Sequence, residues 1–438
     1  MEIIIAGAGR VGFRLATLLS VRHNVVIIDK NTEALERLRE SIDVLTIVGN
    51  VQDPGTYETL SGRVVDLFIA VTDVDEVNLI SAIIAGEKIR VGEKIIRLNH
   101  PFFAQSAISK KLSITHAVYP YTQTAESVRA LLEYSKANNV KSFPETTMKL
   151  VSVKADFHRG IHSLPVSELE NRHVAVVGIE RKKNFHLPSP SDAVQHDDMV
   201  YLLGAEQQVK ELCGRLNHAM PGSIRKIVIF GADALGIEIA RLLAGPGMTI
   251  KLVEKDVQKC RRAADELQEL AMVINSKYGD TRLYQDEGLG SARMMIAATP
   301  NDEENIIKCM EAREHGVGKV VAINNDIEYY NLMHSLGITV VRGPKTNTFY
   351  SVLEAIGSNA VVNERLFCGG AAICFIRRFG VSGCQVEAPA SRTLCTYHIG
   401  EGGIAELRGT HTLAEGDAVV LFCARAKEEE AREWINTL

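Results

Sequence analysis

The run Gly7-Ala8-Gly9-Arg10-Val11-Gly12 has the glycine spacing of a loop that receives a nucleotide pyrophosphate. Gly7 suits a tight turn, Gly9 lets backbone come close to phosphate, and Gly12 lets the following helix pack against the preceding strand. A helix N-terminus at this point supplies orphan N–H groups and the positive end of a dipole. Asp29 stands 22 residues after Gly7, placed to accept hydrogen bonds from ribose hydroxyls. Its charge repels a 2′-phosphate, so NAD(H) is expected and NADP(H) is not; ATP or ADP would use the same groups. Asn50, Thr72 and Asp73 end the third and fourth expected strands, at the edge where open α/β sheets bind ligands. Thr72 taken alone reads equally well as ordinary helix-capping chemistry. Arg97 closes the fifth strand, where it could reach phosphate or simply be solvated.

These residues need a parallel sheet to bring them together. Apolar runs at 3–6, 25–28, 44–47, 67–71 and 95–98 read as strands, and the helix-period stretches 11–19, 32–41 and 75–89 lie between them. Buried strands alternating with helices imply a doubly wound α/β domain.

The pattern then repeats. Gly7 matches Gly231, 224 residues on, and Thr72-Asp73-Val74-Asp75-Glu76-Val77-Asn78 matches Thr299-Pro300-Asn301-Asp302-Glu303-Glu304-Asn305, 227 residues on. Two matches in the same order with nearly equal offsets indicate duplication. Strands of the second copy are expected at 226–230, 249–253, 272–274, 293–297 and 320–323. Its loop, Gly231-Ala232-Asp233-Ala234-Leu235-Gly236, has Asp233 at the middle-glycine position. A carboxylate there opposes a pyrophosphate and could itself accept from the helix N-terminal N–H groups. Gly231, Gly236 and Glu254, at the ribose position, therefore outline a second site that is weak or empty.

Each copy ends in an amphipathic helix, at 122–137 and 346–358, displaying Val128, Leu131, Phe349 and Val352 as candidates for pairing domains or for packing inside one chain. A small α+β domain follows each copy, giving expected domains at 1–140, 141–220, 225–360 and 361–438, with a hinge at 218–224. The fold class is thus α/β, with two Rossmann-like sheets each followed by an α+β accessory domain.

Composition narrows the function. The 438 residues include no apolar run of the roughly 18 residues a membrane span needs, and no secretory signal is visible, so a cytoplasmic address is expected. A net charge of -5 and the lack of a basic block argue against nucleic acid. All eight cysteines lie between Cys213 and Cys423 without a C-x-x-C pair, and Cys395 with His398 is half a metal site at most, so no metal is expected. A dehydrogenase needs an acid or base over the nicotinamide, and no His, Lys or Tyr constellation of that kind stands out, which leaves an NAD-dependent oxidoreductase as the alternative reading.

The G-A-G-R-V-G loop at 7–12, Asp29, V-G-N at 48–50, A-V-T-D-V-D-E-V-N at 70–78 and the second round from Lys226 resemble the TrkA-type regulatory subunits of potassium-uptake systems, over essentially the whole chain. The resemblance implies tandem regulator-of-potassium-conductance domains that are not enzymes. It also implies a homo-oligomer, dimer or tetramer, at the inner face of the cell membrane beneath a TrkH- or TrkG-like potassium-conducting subunit. Such domains sense NAD(H) or adenine nucleotides, and the resemblance places Arg10 facing the phosphates. Asp233 departs from the pattern and puts a second nucleotide site in doubt.

Overall fold

Val- and Ile-rich runs need cover on both faces, and the chain supplies it by returning through a helix after nearly every strand. The computed structural model describes residues 1–143, 146–158, 160–218, 223–279, 282–357, 362–391 and 393–438. The first copy runs β1 (Glu2–Ala6), α1 (Arg10–Leu19), β2 (Asn24–Asp29), α2 (Thr32–Ser41), β3 (Leu45–Val48), β4 (Val64–Ala70), α3 (Asp75–Lys88) and β5 (Arg90–Arg97). Two short helices, α4 (Pro101–Gln105) and α5 (Ile108–Lys111), lead to β6 (His116–Val118) and α6 (Pro120–Glu133). The six strands are parallel in the order β3-β2-β1-β4-β5-β6, the doubly wound arrangement that reverses direction beside β1. β6 is an element the sequence reading omits, because three residues are too few to show a period.

The second copy repeats it: β14 (Lys226–Phe230), α8 (Ala234–Leu243), β15 (Thr249–Glu254), α9 (Val257–Leu267), β16 (Met272–Asn275), α10 (Leu283–Asp286), β17 (Met294–Ala297), α11 (Asp302–Glu314), β18 (Lys319–Asn324), α12 (Tyr330–Ser335), β19 (Thr339–Arg342) and α13 (Pro344–Gly357). Its sheet order, β16-β15-β14-β17-β18-β19, is the same.

The accessory domains are antiparallel. The first holds β7 (Asn139–Ser142), β8 (Lys149–Lys154), β9 (Ser163–Pro165), β10 (Val174–Arg181), β11 (Asn184–His186), β12 (Ala193–Gln195), β13 (Met199–Gly204) and α7 (Glu206–Leu216), with a main sheet β11-β10-β13-β8-β7. The second holds β20 (Val362–Phe367), β21 (Ala372–Arg378), β22 (Cys384–Glu387), β23 (Cys395–Gly400), β24 (Gly403–Glu406), β25 (Thr410–Leu413), β26 (Ala418–Ala424) and α14 (Glu428–Thr437), with a main sheet β20-β21-β26-β23-β24. The two sheets share one apolar core in which Val177, Tyr201 and Leu203 meet Phe367, Cys374 and Phe422.

The chain divides into two units that do not follow sequence order: Met1–Thr124 with Arg342–Ile356, and Ala125–Val341 with Gly357–Leu438. In the first unit, α13 lies against the first copy. Thr124 Oγ1 donates to Arg342 O at 3.0 Å, Asn347 Nδ2 donates to Thr124 Oγ1 at 2.8 Å, and the Arg14 guanidinium sits 4.3 Å over the Phe349 ring. In the second unit, fully buried Lys319 on β18 donates to Ser135 O at 2.7 Å and Ala137 O at 2.9 Å, carbonyls that follow α6. Val128, Leu131, Phe349 and Val352 are all buried within the chain. Their apolar stripes are thus used in intramolecular packing, not as a free surface for pairing subunits. The expected hinge includes 219–222, and the expected boundaries at 220, 360 and 361 also fall outside the described residues.

Candidate functional site

Parallel order brings the carboxyl ends of β1 to β5 to one edge, and the candidate residues lie along it. After β1, Gly7 takes a φ of +110°, a left-handed conformation that favours glycine, and a Cβ there would lie 3.1 Å from Thr72 Cγ2. Gly12 faces back on the loop, where a Cβ would stand 1.8 Å from Gly7 O. Gly9 is the open position, since a Cβ there would meet nothing within 4 Å. Its Cα–H side is therefore free for another group to approach. Gly9 is also the N-cap of α1, and no side chain caps that helix, whereas Asn31 caps α2 by accepting from Ala34 N–H. Arg10 is exposed on the first turn, while Ala8 and Val11 are buried beneath it. An uncapped N-terminus above an open glycine is a place for an anion.

Asp29 ends β2 half-buried beside this loop. Its Oδ2 accepts from Ala8 N–H at 2.6 Å and its Oδ1 from Asn31 N–H at 2.8 Å. A carboxylate offers about four lone-pair sites, so capacity remains for two hydroxyl donors. Asn50, exposed after β3, accepts from Gln52 N–H at 3.0 Å. Thr72, after β4, is fixed by Asn78 of α3, whose Oδ1 accepts from Thr72 N–H at 2.9 Å and whose Nδ2 donates to Arg97 O at 2.9 Å. The sequence reading matched Asn78 and Asp75 to the second copy but did not name them as site residues, yet Asp75 accepts from Asn99 and His100 N–H at 2.7 and 2.8 Å. Their recurrence as Asn305 and Asp302, which bind Thr299 and Asn325 in the same way, was the available signal. Arg97 is 4% exposed and donates to exposed Asp73 at 2.7 Å and to Asn99 at 3.0 Å. In this arrangement its guanidinium serves the β4 and β5 ends.

The second loop keeps the turn but not the opening. Gly231 has a φ of +104°, and a Cβ on Gly236 would stand 1.9 Å from Gly231 O. Asp233 is the N-cap of α8 but makes no side-chain cap, contrary to the sequence expectation. Its carboxylate instead pairs with Lys259 of α9 at 2.5 Å, and this hydrogen bond raises the Lys259 pKa above its ordinary value. A full positive charge nearby outcompetes partial charges on N–H groups. Glu254 is 3% exposed. It accepts from Ala232 N–H at 2.8 Å, from the N–H groups of Lys255 and Asp256 at 2.9 Å each, and from the Tyr278 hydroxyl at 3.2 Å.

Elsewhere, His398 bonds to Asp417 at 2.7 Å, and burial pushes the Cys395 thiol up to about 12. Among the described residues no three His, Cys, Asp or Glu side chains form a metal-binding group, and no helix is long and apolar enough to cross a membrane.

The TrkA-N domain pattern matches residues 3–120 and again 227–344. The chain is 27% identical over 359 residues to a Trk system potassium uptake protein TrkA homolog of Archaeoglobus fulgidus, covering 81% of each. It is 25% identical over 456 residues to a Trk system potassium uptake protein TrkA homolog 1 of Methanosarcina mazei, covering all of both. Among solved structures, a GsuK RCK domain superposes with a TM-score of 0.64 at 15% identity, covering all of this chain and 95% of that one. The structure named as the GsuK channel bound to NAD superposes with a TM-score of 0.63 at 15% identity, covering all of this chain and 79% of the other.

Proposed function

We propose, because this chain belongs to the TrkA-N domain family and carries that domain twice, that it is the nucleotide-sensing regulatory subunit of a potassium-uptake system. The observation that supports this reading is the uncapped, open Gly7–Gly12 loop with Asp29 holding two unused acceptor sites beside it. In this reading NAD(H) binds with its pyrophosphate on α1 and a ribose on Asp29, and ATP or ADP competes through the same groups. Arg10 faces the phosphates, while Asn50, Thr72 and Asp73 line the rest of the edge. We read the chain as four successive domains, 1–140, 141–220, 225–360 and 361–438, assembled into a cytoplasmic oligomer at the inner face of the membrane. Its partner is a TrkH- or TrkG-like membrane subunit that conducts potassium. The protein regulates and does not catalyse, in keeping with relatives named as potassium-uptake proteins.

Nucleotide regulates only if it binds two arrangements of the assembly unequally. Potassium flux into vesicles containing the membrane subunit is the test. Flux should depend on this protein and change when NADH or ATP is added. Flux indifferent to nucleotide, with binding and docking verified, would refute the regulatory reading. Steady NADH oxidation with a turnover rate would favour the oxidoreductase instead.

A further inference from the structure

We infer that the second cleft is liganded by the chain itself. The Tyr278 hydroxyl on Glu254 stands in for a ribose hydroxyl, and the Asp233–Lys259 pair occupies the place of a pyrophosphate. Tyr278, Asp233 and Lys259 thereby determine which of the two loops takes nucleotide. The inference rests on the nucleotide reading of the first loop.

Backbone hydrogen bonds align the two clefts. Gly49 N–H donates to Asp29 O at 3.0 Å and Ser276 N–H donates to Glu254 O at 3.0 Å, so Gly49 corresponds to Ser276 and Val51 to Tyr278. Asn31 and Asp256 are both N-caps of the helix after the second strand, which aligns Ala34 with Lys259. In the first cleft these two positions are therefore an apolar side chain and a methyl group, neither able to bond to a carboxylate. In the second they are a phenol and an ammonium, and both bond inward.

Counting acceptor sites decides the matter. Glu254 receives four hydrogen bonds, one of them from Tyr278, and a carboxylate has about four lone pairs to give. Nothing remains for a ribose. Asp29 receives two from neighbouring backbone and is half-buried. Tyr278 is not a loose plug. Its ring meets Phe230 edge-on with centroids 5.6 Å apart, the Lys255 ammonium lies 4.9 Å from the ring centroid, and its own carbonyl accepts from buried Lys308. On the other side of the loop, Lys259 already neutralises Asp233, so an entering diphosphate would have to break an ion pair and then face the carboxylate left behind.

Photolabelling the full chain with 8-azido-ADP, followed by mass spectrometry of peptides, separates the two clefts. The parent should label peptides of the first copy and leave those of residues 226–279 unlabelled; label there in the parent overturns the inference. The chain carrying Asp233→Gly, Lys259→Ala and Tyr278→Val should gain second-copy label by at least about tenfold, the effect of one recovered charge-assisted hydrogen bond. A folded triple variant without that gain also overturns it. The milder pair Asp233→Gly with Tyr278→Phe keeps the packed ring, so it serves if the triple variant does not fold, and it should move second-copy labelling in the same direction; no movement counts against the inference. A parent that labels nowhere would defeat the reading of the first loop, and the opened variants would still report on the second.

Discussion

Asp29 spends two of its acceptor sites on Ala8 and Asn31, and in the proposed reading the others take a ribose, which makes its replacement informative. Asp29→Ala should weaken ADP or NADH binding about 10- to 150-fold, since each hydrogen bond to a charged group contributes about 1.5–3 kcal/mol. Isothermal titration is the measurement, and an unchanged Kd would reduce Asp29 to a loop anchor. By the same charge argument, NADP(H) should raise the melting temperature far less than NAD(H) at equal concentration. Lys319 is the residue whose protonation tests the fold. Burial pushes its pKa down to about 7 from an ordinary 10.5. The two carbonyls it bonds can be served by a neutral amine. Between pH 7 and 10.5 the unfolded chain holds a proton that the folded chain has lost, so stability rises with pH across that window. The slope from this one group is at most about 1.4 kcal/mol per pH unit. Lys319→Met should flatten that rise in urea titrations from pH 7 to 10, and an unaltered pH profile would mean that Lys319 is charged in the folded state.

Neighbouring strand ends are tied together by one side chain in each copy. Asn78 joins the β4 end to the β5 end through Thr72 and Arg97, and Asn305 does the same through Thr299 and Ile323 O. Both asparagines are fully buried. Asn78→Ala leaves the Thr72 N–H without its acceptor, at a cost of about 1–3 kcal/mol per unsatisfied group. The expected result is a lower urea midpoint together with weaker nucleotide binding, because the Thr72-Asp73 turn lies on the candidate site. Loss of stability with binding intact would detach this turn from the site. These ties were hard to read beforehand because a repeated helix-start pattern, Asp75 to Asn78 and again Asp302 to Asn305, looks the same whether it caps a helix or staples two strands. The main strands were easier. Runs such as 3–6 and 226–230 are short, β-branched and bounded by glycine, whereas the three-residue β6 offered no periodicity.

Over the whole molecule, buried Leu131 should behave as core. Leu131→Asp should unfold the chain, seen as lost cooperative melting, and a folded but dissociated protein would contradict its burial within the chain. Much of the fold was present in the sequence: the duplication, the two parallel sheets, the accessory domains and the Gly7–Gly12 loop with Asp29 all follow from local patterns whose physics is local, namely glycine φ freedom, strand and helix periods, and fixed spacing along one βαβ unit. What tertiary structure decided is where distant side chains spend their bonding capacity. Asp233 was expected to be able to accept from the helix N–H groups, but α9 places an ammonium 2.5 Å from it, and Glu254, expected at the ribose position of a weak or empty site, takes its fourth hydrogen bond from Tyr278. Arg97, expected either to reach phosphate or to be solvated, is buried and donates to Asp73, before α3 in the chain, and α13 grouped with the first copy although it follows the second. Each of these depends on partners at least two elements apart in the chain or on a cross-copy packing choice, and no spacing along the sequence encodes which of several available donors will arrive.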